Sequence, residues 1–215
     1  MIYFPNFKKG KYMDLPRVER ELKKRVSYPY IWGKKQDNSW DRQTNFIYQT
    51  YSVRKLLERT ESLAKPLQNY ALNRWYNFWS AMAVENIFCS HENVIANKDK
   101  YDKLIDFKID DIPFDHKTSI FPKGFNKDLG YALKNKKELI EWLYENQSQE
   151  GRKHLANRLF IVLFDENKQH WRIKAEIDEL KKEIEHYLEN FCEDNLVKLD
   201  FGEGEVLADI IWCIR

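Results

Sequence analysis

Residues 104–119, LIDFKIDDIPFDHKTS, bring Asp106, Asp115 and Lys117 into a spacing that suits metal-assisted hydrolysis of a phosphodiester. Apolar and polar residues alternate on either side of Asp110 and Asp111, so 103–109 and 112–120 read as two strands of a hairpin. The two-residue gap fits a tight turn, although neither residue is the favoured glycine. In that register Ile109 faces Ile112, Phe107 faces Phe114 and Asp106 faces Asp115. Directly opposed Cβ atoms lie about 4.5 to 5.5 Å apart, where like charges repel unless a cation intervenes. Alternation puts Lys117 on the face of both aspartates and turns Phe107, Phe114 and His116 to the other. Mg²⁺, with Mn²⁺ as a substitute, takes one or two carboxylates beside carbonyl and water oxygens, and the main-chain carbonyl of His116 is a further expected ligand. Such an ion would activate a water and neutralise the phosphate, while Lys117 would orient that water or offset transition-state charge. A plain surface ion pair could use the same residue types; the apolar residues flanking the charges favour a site.

The elements that must position these residues follow from capping and periodicity. Asp14 caps a helix over 16–25, and an aromatic loop follows over 27–40. Thr44 begins a second helical stretch, and Pro66 separates it from a third over 67–89, whose Trp75, Tyr76, Phe78 and Trp79 predict burial on several sides. After the hairpin come a helix over 134–146, an uninterrupted apolar strand over 159–164, a charged amphipathic helix over 175–191 and a closing pair of strands over 196–201 and 206–214.

This D…DxK pattern on a hairpin resembles the PD-(D/E)XK superfamily of restriction-endonuclease-like nucleases. The resemblance covers about residues 67–215 and implies an α/β fold with a mixed central sheet in the order helix, three strands, helix, strand. On that mapping 159–164 is the third strand, 175–191 the second helix and 206–214 the last strand, with 1–66 as an N-terminal helical extension. It also implies a metal-dependent endonuclease acting on DNA, in restriction or another defence role. Asp106, Asp115 and Lys117 would be catalytic, and Glu85 in SAMAVENIF would be a further catalytic residue and metal ligand. Cutting both strands of a duplex would call for a homodimer. A second reading keeps the fold without catalysis, as a nucleic-acid-binding or protein-interaction module.

Composition bounds these readings. A chain of 215 residues with 43% hydrophobic and 15% aromatic content can build one well-buried core. Without an apolar run of spanning length or a signal segment, it is expected to be cytoplasmic and to have no membrane partner. Cys89, Cys192 and Cys213 lack metal or disulfide spacing and read as reduced, mostly buried thiols. Charge is uneven: residues 8–25 hold eight basic and three acidic residues, 117–158 nine and five, and 175–215 four and twelve. The first two segments suit phosphates. Thr118, Lys123, Lys127, Arg152 and Lys153 are the nearest expected nucleic-acid contacts. Tyr28, Tyr30, Trp32 and Trp40, interleaved with Lys34, Lys35 and Arg42, read first as an aromatic mini-core and second as a stacking surface. His91 beside Cys89 lacks further ligands and receives no role.

Overall fold

Helix α1 (Leu15–Val26) begins where the Asp14 carboxylate accepts the Arg17 amide at 3.0 Å, with Pro16 in its first turn. The computed structural model describes residues 13–32, 38–99, 102, 104–146, 156–202 and 204–215. Helices α2 (Asn38–Gln43), α3 (Val53–Thr60) and the long α4 (Lys65–Phe88) follow. The continuous helix expected from Thr44 is instead a 3-10 turn over Asn45–Gln49, then a break. At that break the Thr50 carbonyl accepts the indole N–H groups of Trp75 and Trp79, at 2.5 and 3.1 Å, so tertiary packing overrides the local pattern.

The chain divides into two compact units, Met1–Asn86 with Lys174–Asp178, and Ile87–Ile173 with Glu179–Arg215. In the first unit a fully buried Arg25 organises the aromatic loop. It donates to the carbonyls of Tyr28, Pro29 and Leu72 and to Asn73 Oδ1, and Asn73 donates to the Ile31 carbonyl. Tyr30 and Trp40 are half-buried, edge-on to Tyr76 and Tyr70, as a mini-core requires. Tyr28, Ile31 and Trp32 are exposed, which a mini-core does not predict. Lys34 and Lys35 lie outside the described residues.

The second unit is built on a six-stranded mixed sheet in the order β1-β2-β3-β4-β6-β5. The strands are β1 (Val94–Ala96), β2 (Phe107–Ile109), β3 (Ile112–Ile120), β4 (Arg158–Phe164), β5 (Val197–Asp200) and β6 (Glu205–Ile214). β3 runs parallel to β4 and β4 to β6, while the other pairs are antiparallel. The hairpin forms in the expected register, with Phe107 opposite Phe114 and Ile109 opposite Ile112. Its turn residues adopt φ values of 46° at Asp110 and 68° at Asp111, the two left-handed conformations that a type I′ turn demands. Helices α5 (Leu129–Lys134) and α6 (Lys136–Asn146) connect β3 to β4, and α7 (Ile177–Glu189) follows β4. β4 is buried from Arg158 to Leu163, as an apolar central strand should be. One sheet face buries Phe160, Val162, Ala208 and Ile210 in a cluster with Leu139, Ile140, Leu143 and Tyr144 of α6.

The thiols divide three ways. Cys213 is buried and Cys89 half-buried, but Cys192 is exposed, contrary to expectation, because it lies just beyond the end of α7. Among the described residues no helix is long and apolar enough to cross a membrane.

Candidate active site

Asp115 is the buried centre of the polar cluster on β3. In the parallel register it stands beside Arg158 at the start of β4, so the two side chains share a sheet face. The Asp115 Oδ2 accepts Arg158 Nε at 3.0 Å, and Oδ1 accepts Lys117 Nζ at 2.6 Å. The Asp115 and Arg158 side chains are only 6% and 9% exposed, whereas Lys117 is 43% exposed. One carboxylate therefore bridges an interior cation and a cation that reaches solvent. Arg158 lies over the Tyr144 ring, 5.1 Å from its centroid, and the Tyr144 hydroxyl donates to the Ala156 carbonyl at 2.8 Å. Burial raises the pKa of that hydroxyl, which stays a neutral donor. Asn157 ties the strand ends together. Its carbonyl accepts the Asp115 amide, its side-chain amide donates to the Pro113 carbonyl, and its Oδ1 accepts the Leu207 amide.

Asp106 departs from the simple alternation. β2 begins at Phe107, and the preceding Asp106 amide donates to the Phe114 carbonyl at 2.8 Å, one residue out of step with the paired register. A step of that kind works as a bulge does and re-aims the side chain. Instead of opposing Asp115, the Asp106 Oδ2 accepts the His116 amide at 2.9 Å and pairs with His116 Nδ1 at 2.7 Å. The expected direct opposition of the two aspartates is thus replaced by a carboxylate–imidazole pair. His116, expected on the face opposite Asp115, packs there against Phe88 and Phe107, and its ring also engages Asp106. Burial would raise the Asp106 pKa. The hydrogen bonds and charge of His116, with the charge of Lys117, outweigh burial and lower it to about 2. The Lys117 ammonium acts on both aspartates, directly on Asp115 and through space on Asp106.

The remaining candidates are scattered. Glu85 is half-buried on α4 in the first unit, whereas the site described here is made by the second unit alone. Thr118, a candidate phosphate contact, has its Oγ1 buried without a hydrogen-bond partner among the described residues, on the His116 side of β3 where alternation puts it. Lys123 is exposed in a 3-10 turn over Lys123–Phe125, and Lys127 Nζ lies 4.9 Å from the Tyr131 ring centroid. Arg152 and Lys153 lie outside the described residues. Among the described residues no group of three or more His, Cys, Asp or Glu side chains is placed to hold a metal ion.

No family model, curated protein or solved structure matches the chain. The site's chemistry therefore rests on its own geometry.

Sequence reasoning missed Arg158, Tyr144 and Asn157. A long-range parallel pairing brings Asn157 and Arg158 to Asp115, and no local pattern encodes it. The available signal was an arginine immediately before a wholly apolar strand, because a charge at the mouth of a buried strand needs a partner. Asp209 was missed as well. It is 5% exposed on β6 and accepts Lys136 Nζ at 2.7 Å, the Ile210 amide at 2.7 Å and the Tyr187 hydroxyl at 3.2 Å. Three protein donors hold its two oxygens, which suits a structural role.

Proposed function

We propose that this chain is a magnesium-dependent endonuclease that hydrolyses phosphodiester bonds in DNA on a restriction-endonuclease-like core. The observation that carries the reading is the Asp115–Lys117 pair on β3, with Asp106 in the electrostatic field of the same ammonium. The order of elements supports it more locally than expected. α4, β1, β2, β3, the α5–α6 pair and β4 give helix, three strands, helix, strand, before α7 and β6 are reached. A three-residue β1, not foreseen from the sequence, supplies the additional strand.

The donor types, two carboxylates and a main-chain carbonyl, suit a hard divalent cation. Asp106 Oδ1 has no partner among the described residues, and each Asp115 oxygen accepts a single hydrogen bond, leaving lone pairs. Because the Asp115 amide is bonded toward β4, alternation turns the His116 carbonyl toward the Asp106 side of β3. Asp106, Asp115 and that carbonyl would hold Mg²⁺, and the ion when bound would acidify a water and neutralise phosphate charge. Lys117 is positioned to hold the attacking water or the charge that develops on phosphate. The basic excess over 117–158 suits a polyanion, and double-strand cleavage would suggest a homodimer.

The test is cleavage of plasmid, single-stranded DNA and RNA with Mg²⁺ or Mn²⁺. Lys117→Ala should lower the rate by about a hundredfold or more while the protein stays folded. Intact substrates with wild-type protein, or an undiminished rate in Lys117→Ala, would overturn the reading. The capture of both Asp115 oxygens by cations favours a second reading, a non-catalytic nucleic-acid-binding or interaction module. Salt-sensitive DNA retention with no Mn²⁺ affinity by calorimetry would establish it.

A further inference from the structure

We propose that the Arg158 guanidinium, beside Lys117, is a binding site for a non-bridging oxygen of a phosphodiester. The inference rests on the phosphodiester reading above and names a substrate-contacting residue outside the Asp, Asp, Lys motif.

Arginine carries five N–H donors, and Arg158 spends only the one on Nε, on Asp115 Oδ2. Nη1 and Nη2 have no acceptor among the described residues, although the residue is 7% exposed. The terminal nitrogens are not among the buried, unpartnered side-chain atoms, so the fork meets solvent and is open to an anionic oxygen. The fork is also held still. Its Nε is fixed by Asp115, its plane lies over Tyr144, and Tyr144 is anchored to the Ala156 carbonyl and packed edge-on against Phe160. A planar, immobilised guanidinium matches two oxygens of a phosphate better than a mobile lysine can.

Charge points the same way. Arg158 and Lys117 bring two positive charges side by side onto one carboxylate, Asp115. A counter-ion role for Arg158 would require only Nε and would leave the terminal nitrogens unused, whereas an anionic oxygen would engage them.

The test uses the full chain without metal, in EDTA, so that binding is read apart from cleavage. Fluorescence anisotropy with a labelled DNA duplex is measured for wild type, Arg158→Lys and Arg158→Gln across a salt series, beside thermal melts. Arg158→Lys keeps a cation for Asp115 but loses the fork. It should weaken binding about fivefold or more and reduce the slope of log affinity against log salt by up to about one unit. In wild type, phenylglyoxal should modify Arg158 and bound duplex should protect it, a readout independent of how the variants fold. Unchanged affinity and slope in both variants, or an Arg158 that is never modified or never protected, would overturn the inference. Arg158-dependent binding without metal-dependent cleavage would keep this site and remove the nuclease reading. Cleavage and binding indifferent to Arg158 would do the reverse.

Discussion

Replacing Asp115 by alanine should destabilise the protein far more than replacing Lys117, although the two side chains are bonded to each other. Asp115 is the only acceptor of the Arg158 guanidinium among the described residues, and both side chains are more than nine-tenths buried. Removing one partner of such a pair leaves an uncompensated interior charge, at a cost of about 3 to 5 kcal/mol. Lys117 is 43% exposed and can be rehydrated when its partner goes, so its own removal should cost about 1 kcal/mol or less. At about 2 to 4 °C per kcal/mol for a protein of this size, Asp115→Ala should melt roughly 6 to 20 °C below wild type and Lys117→Ala within about 4 °C. Differential scanning calorimetry or urea unfolding of the two variants measures both. The double variant Asp115→Ala/Arg158→Met should regain part of the loss, since it removes the stranded charge. An Asp115→Ala protein that melts within about 2 °C of wild type would show that the buried pair does not carry the energy assigned to it. For assays of catalysis, Lys117→Ala is accordingly the cleaner variant.

Asp106 supplies a pH dependence. Its pKa falls from 3.8 to about 2, so its contribution is complete above about pH 4 and is lost as pH falls through about 2. Discounted for a side chain that is 31% exposed, it should be about 1 to 2 kcal/mol, and Asp106→Asn should flatten the acid limb of urea unfolding between pH 5 and 2 by that amount. Changing the turn residues Asp110 and Asp111 to Asn-Gly should raise stability by about 0.5 to 1 kcal/mol, because both have positive φ; a lower melting temperature would contradict the type I′ assignment. Arg25→Ala would strand the carbonyls of Tyr28, Pro29 and Leu72 in the first unit, and a loss of about 3 kcal/mol or more is expected in thermal melts.

What the sequence made legible was local. The Asp14 cap, the two-residue hairpin with Phe107 opposite Phe114, and the buried run of β4 depend on neighbours a few residues away, and all three appear as read. What escaped depends on distant partners or on strand ends. β1 spans three residues, Val94–Ala96, too few for an alternation to show, and it exists because β2 offers it an edge. Asp106 lies just before β2 begins, and alternation holds only inside a ladder; its carboxylate turns to His116 once the register slips. The role of Arg158 could not be read from its neighbours, because its partner is 43 residues away.

That separation also bears on how the polar centre comes into being during synthesis. Asp115 leaves the ribosome with Lys117 close behind it, but Arg158 follows only after α5 and α6 have been made. Closing so long a loop costs chain entropy that β3–β4 pairing must offset. Until that pairing forms, the carboxylate remains hydrated and ordinary. Assembly of the proposed active centre would therefore coincide with docking of the sheet's middle, so an incompletely folded chain would be inert toward nucleic acid.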